Sequence, residues 1–187
     1  MADIDEMLDD IVLMGDPVLT REASPIQTID DEVRALAGRM IDDMYAAEGC
    51  GLAAPQVGES VAMVVIDCDY GDGTKKNPYV LINPVIVEQS EETFTGSEGC
   101  LSFPGVTVDV ERPRHVVVHA QNLDGELMRY EADGTLLARC LQHEIDHLNG
   151  KTLFESCDPV TRIEALRAYD EAKAQGARPG DTDIEVK

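Results

Sequence analysis

The chain has 187 residues, 43% of them hydrophobic, and sets 37 acidic against 15 basic residues for a formal charge of −22. That length suits one domain with its own core, the lack of any apolar run near 18 residues excludes a spanning helix, and the acidity excludes nucleic acid as a partner. An acidic N-terminus argues against a secretory signal, and five cysteines without a C-x-x-C pair argue against a disulfide framework or a four-cysteine zinc knuckle, so the expected compartment is the cytoplasm.

Only five of the basic residues are lysines. This acid-rich, lysine-poor balance fits either a salty cytoplasm, where ions screen self-repulsion, or a solvated acidic surface in an ordinary cell. The whole of 1–187 reads as a single domain, with flexible termini over about 1–10 and 176–187.

In chain order, residues 30–48 place Val33, Leu36, Met40, Ile41 and Met44 at helical spacing, with Asp30 and Asp31 able to cap the start and Gly49 the end. Short β-branched runs follow at 61–67, 80–87, 106–110, 115–122 and 126–131, separated by Gly, Pro, Asn or Asp, with a hairpin signal at Asp124-Gly125. Over 135–149, Leu137, Cys140, Leu141, Ile145 and Leu148 recur every three or four positions, which predicts an amphipathic helix. A last helix opens at Asp158-Pro159 and turns Ile163, Leu166 and Tyr169 inward; the polar tail beyond Gln175 is expected to fray. Strands grouped in the middle, without alternating crossover helices, predict an α+β fold. Mixed or antiparallel strands pack around a central helix, with one helix N-terminal and one C-terminal.

The helix over 135–149 carries His143-Glu144-Ile145-Asp146-His147. Residues four apart share a helix face, so both imidazoles can meet one ion while Glu144 reaches a water beside it. A catalytic metal normally takes three protein ligands, and Cys100, in Glu98-Gly99-Cys100-Leu101-Ser102, is the best third donor, although an isolated cysteine is more often buried filler. The segment Gly49-Cys50-Gly51-Leu52-Ala53-Ala54-Pro55-Gln56 superficially matches a dinucleotide fingerprint. It follows a helix instead of a strand and runs into proline, so that reading fails. It is either a plain helix stop or a backbone that approaches a substrate, with the Gln56 amide able to donate to an oxyanion. On the His-Glu-x-x-His motif alone, a zincin-type metallopeptidase is the alternative, but its third ligand normally lies downstream.

Taken together, G-x-G-L-A-A-x-Q, E-G-C-L-S and H-E-x-x-H, in this order and at these separations, closely resemble peptide deformylase, and the similarity runs from about residue 11 to 169. The resemblance implies removal of the formyl group from the N-terminal formyl-methionine of nascent polypeptides, with release of formate. It makes Cys100, His143 and His147 the ligands of one divalent ion, ferrous iron in the cell, which zinc, nickel or cobalt can replace. It also makes Glu144 the general base and acid, and the Gln56 amide and Leu101 N–H the oxyanion donors. The methionine pocket is implied at Gly51, Leu101, Phe103, Cys140 and His143, where Phe103 is larger than the usual isoleucine or valine. Thr107 stands where some members have a basic residue near the peptide backbone.

Glu98 resembles the family's carboxylate that pairs with a downstream arginine, here Arg112, so as to fix the strand bearing Cys100. Asp146 is either an orienter of an imidazole or a solvated residue. The partners implied are N-formyl-methionyl peptides and, transiently, the ribosome. Stable docking through the last helix is not favoured, because Arg162, Arg167 and Lys173 are offset by Glu164, Asp170 and Glu171. No membrane partner is expected.

Overall fold

Two sheets, each with its own helical cover, divide the computed structural model, which describes residues 4–70 and 74–186. The strands are β1 (Gly51–Ala53), β2 (Met63–Ile66), β3 (Tyr79–Gln89), β4 (Thr93–Cys100), β5 (Phe103–Pro113), β6 (His115–Gln121), β7 (Leu127–Asp133) and β8 (Ile184–Val186). The α-helices are α1 (Ile4–Asp9), α2 (Asp31–Ala46), α3 (Leu136–Leu148) and α4 (Pro159–Ala174). The class is α+β, as the grouping of strands predicts.

The larger sheet runs β1-β2-β3-β6-β7 and is antiparallel throughout. β2 is apolar at all four positions because both of its faces are covered. Val64 and Ile66 join the cluster built by Leu141, Ile145 and Leu148 of α3, while Met63 and Val65 join Ala37, Met40 and Met44 of α2. Burying a side chain of that size contributes about 2 kcal/mol. Helices α2, α3 and α4 each start on a side-chain cap: Asp30 accepts from the Val33 N–H at 3.0 Å, Thr135 from Ala138 at 3.3 Å and Asp158 from Val160 at 2.9 Å. The stop expected at Gly49 comes earlier, and Glu48 takes the left-handed turn (φ 52°).

The smaller sheet runs β4-β5-β8 and packs Val106, Val108 and Val110 against Ala165, Ala168 and Tyr169 of α4. Two of its strands depart from the sequence reading. β4 lacks an apolar face, yet it pairs with β5 along its whole length. The tail expected to fray instead returns as β8, parallel to β5, with Val186 buried in the α4 cluster. Its approach is anchored by the Gly105 N–H, which donates to the Asp181 carbonyl at 2.8 Å. Gly105 sits at φ +84°, and a Cβ there would lie 2.5 Å from Ala172, so only glycine lets the tail and α4 close over it. No helix among the described residues is long and apolar enough to cross a membrane.

Candidate active site

α3 turns both histidines of its motif toward the protein interior, where His143 is 8% and His147 1% exposed. β4 delivers the third side chain: it ends at Cys100, and residues 101–102 form the turn into β5. Cys100 Sγ lies 3.3 Å from His147 Nε2, and the ligand atoms of Cys100, His143 and His147 all fall within 4.8 Å of one another. One thiol and two imidazoles at that spacing suit a divalent transition metal with a fourth position open.

Glu98, two residues before Cys100, ties the helix to the strand. Its carboxylate accepts two hydrogen bonds from Arg112 (2.6 and 2.8 Å), one from Arg139 (2.7 Å) and one from His143 Nδ1 (2.9 Å). Holding Nδ1 in this way leaves His143 Nε2 facing Cys100, so the ring presents one defined nitrogen to an ion. Burial alone would raise the Glu98 carboxyl, but Arg112 and His143 hold it well below the usual range. The two imidazoles are driven apart. Burial works against charge on both, yet bonds to Cys100 and Glu98 raise His143, whereas burial and the neighbouring His143 charge keep His147 low and neutral. The neutral ring is the form that ligates.

The Gln56 side chain is fixed at both ends. Its Oε1 accepts from the Ala53 N–H at 2.8 Å, so Nε2 faces Ser102 Oγ at 3.3 Å and Cys100 Sγ at 3.6 Å. Glu144 is buried, its Oε2 has no hydrogen-bond partner, and burial raises its carboxyl to about 7. Both residues open onto a cleft of about 230 Å³, lined also by Gly51, Leu101, Cys140 and His143 and, from the C-terminal tail, by Gly180, Asp181 and Thr182.

Gly51 lies close against this carboxylate. A Cβ there would stand 2.6 Å from both Glu144 Oε1 and Cys140 Sγ. Gly51→Ala is therefore expected to displace Glu144 and cut turnover at least tenfold while leaving Cys100, His143 and His147 able to take up a divalent ion, as measured by turnover alongside metal titration. Unchanged turnover would mean that Glu144 has room to shift without consequence.

Of the residues singled out from sequence, the structure brings Cys100, His143, His147, Glu144, Gln56, Leu101, Gly51, Cys140, Glu98 and Arg112 to one place. Phe103 lies elsewhere: it is buried against Phe154 and Tyr169, with ring centroids 4.3 and 4.5 Å away, and does not line the cleft. Asp146 meets no imidazole. It accepts from Arg112 at 2.8 Å and from Ser156 at 3.3 Å. Arg139 escapes the sequence reading, yet it donates to Glu98 and to the Val110 carbonyl (3.0 Å) and lies over the Phe94 ring. Its position one helical turn before His143, on the apolar side of α3, is the signal that could have found it.

A His-Glu-x-x-His helix facing a cysteine, a buried carboxylic acid and a fixed carboxamide across one cleft is the equipment of a hydrolytic enzyme. The family described as polypeptide deformylase matches residues 8–162, and the chain belongs to that family. A peptide deformylase of Brucella suis biovar 1 (strain 1330) is 42% identical over 167 residues, 89% of this chain and 94% of its own. One of Dictyoglomus thermophilum is 48% identical over 149 residues, 80% of this chain and 92% of its own. Among solved structures, a peptide deformylase from Legionella pneumophila matches with a TM-score of 0.81 at 40% identity, covering 88% of this chain and 95% of that one. One from Synechococcus elongatus, in complex with actinonin, matches with a TM-score of 0.80 at 43% identity, covering 90% and 91%.

Proposed function

We propose that this enzyme removes the formyl group from the N-terminal formyl-methionine of newly made polypeptides, using one divalent ion held by Cys100, His143 and His147. The observation that carries the reading is the convergence of those three donors beside the buried Glu144 carboxyl, in a chain of the deformylase family. The donor set fits such an ion: one soft sulfur, a neutral His147 and a His143 fixed by Glu98. Ferrous iron is the proposed ion in the cell, with zinc, nickel or cobalt as replacements.

When bound, the ion supplies Lewis acidity toward a water and a carbonyl oxygen. Glu144 takes the proton from the attacking water and returns it to the amine as the C–N bond of the formyl amide breaks, leaving formate and a free N-terminus. The charge that develops on the formyl oxygen is met by the Gln56 Nε2–H, aimed by its bond to Ala53, and by the Leu101 N–H in the turn after Cys100. Gly51, Leu101 and Cys140 wall the space beside them, where the methionine side chain is received. Phe103, buried under Tyr169, supports the β4–β5 turn from behind and takes no part in that wall.

The test compares formate release from formyl-Met-Ala-Ser with cleavage of an unformylated peptide by anaerobically purified protein. Formate release is expected, with no internal cleavage. A chelator should abolish it, and ferrous, nickel or zinc ions should restore it. Cleavage of the unformylated peptide would favour a metallopeptidase and overturn the reading.

A further inference from the structure

Three of the five cysteines meet outside the donor set described above. Cys50 precedes β1, Cys68 follows β2, and Cys140 projects from α3. The antiparallel register that sets Gly51 opposite Ile66 brings the first two to the same end of the β1–β2 pair, where the Asp67 N–H donates to the Cys50 carbonyl at 3.0 Å. α3 packs across these strands and adds the third. All three Sγ atoms lie within 4.8 Å of one another, and those of Cys50 and Cys140 are 3.9 Å apart. Cys140 is buried and the other two are partly buried.

Three sulfurs that share an ion at about 2.3 Å stand about 4 Å apart when the ion lies in their plane. The Cys50–Cys140 separation already has that value. No imidazole belongs to this cluster, in contrast to the set at Cys100. Thiolate ligands hold Cu(I) or zinc, but a closed zinc site takes four ligands, whereas three sulfurs complete the shell of Cu(I).

We propose that Cys50, Cys68 and Cys140 form a second metal site, distinct from the Cys100–His143–His147 set, which takes one soft d10 cation such as Cu(I). The thiols give up their protons to solvent as the sulfur–metal bonds form. Because Cys50 and Cys140 also line the cleft, the ion sits in its wall beside Gly51.

The test titrates zinc-loaded protein with Cu(I), anaerobically, against a chromophoric copper chelator, and follows both metals. One copper per chain is expected, with zinc unchanged. Cys68 does not line the cleft, so Cys68→Ser and Cys68→Ala should weaken copper binding at least a hundredfold while keeping zinc and wild-type turnover. Cys50→Ala, scored on copper uptake alone, gives the same reading at a second ligand. Cys157→Ser, a thiol outside the cluster, should change nothing. The proposal is overturned if no copper is taken up, if each copper displaces a zinc, or if the Cys68 and Cys50 variants bind copper as wild type does. Since copper and zinc content are read directly, the outcome does not depend on whether formate is released.

Discussion

Glu144→Ala is expected to cut formate release by about a thousandfold, in the range found when a positioned general base and acid is removed, while metal content stays at the wild-type level. The two readouts separate because Glu144 Oε2 has no hydrogen-bond partner, so its loss removes no support from the donors. The same feature sets the sign of the stability change. A buried carboxyl without a partner costs free energy in the folded state, so Glu144→Gln should melt no lower than wild type. Near wild-type formate release by the alanine variant would sink the assigned role, and a large drop in melting temperature of the glutamine variant would show that the carboxylate has a structural partner. The pH profile offers a further check. Burial raises Glu144 to about 7, and the base must be ionised to accept a proton, so kcat/KM should rise with pH. A cation at the neighbouring donors favours the ionised form and moves that limb below about 7.

Glu98→Ala should destabilise the fold strongly. It would leave Arg112 and Arg139, each 6% exposed, without the carboxylate both now bind. Breaking a buried pair from one side costs about 3–5 kcal/mol, which for a domain of this size lowers the melting temperature by about 10 °C. His143 would also lose the acceptor that fixes its Nδ1, and loss of such a partner weakens metal affinity by roughly 10- to 100-fold. Both effects are read by thermal melting and metal titration; a variant that melts and binds metal like wild type would refute the linking role. Acid should reproduce part of this loss. Glu98 is held below its ordinary value of 4.5 in the folded state, so its contribution is complete above that pH and disappears as pH falls below it. Glu98→Gln should lack that dependence.

The contrast between α3 and β4 shows what the sequence discloses. α3 announces itself through its apolar period, its Thr135 cap and two histidines on one face, all of them local features. β4 reads Thr-Phe-Thr-Gly-Ser-Glu-Gly-Cys, with no apolar face and two glycines, and becomes a strand because β5 supplies a complete antiparallel partner. Cross-strand pairing of this kind outweighs intrinsic preference. Phe103 illustrates a different limit. Its closeness to Cys100 along the chain, and the family likeness, place it at the pocket. The turn at 101–102 instead directs it into the α4 cluster, where Phe154 and Tyr169 enclose it. Glu98 and Arg112 are identifiable by resemblance alone, and the partners of Arg139 lie on β4 and β5, far off in sequence, so nothing local to it names them. β8 finds its place beside a strand some eighty residues earlier, a pairing with no local signature.

That late pairing bears on how the enzyme is made. Cys100, His143 and His147 are all synthesised before α4, whereas Gly180, Asp181 and Thr182, which close one side of the cleft, come near the end of the described chain. During vectorial synthesis the three donor side chains therefore leave the ribosome before that side of the cleft does. A fusion or truncation placed after Gln175 would thus open one side of the cleft and break the pairing of β8 with β5, while leaving Cys100, His143 and His147 in the chain.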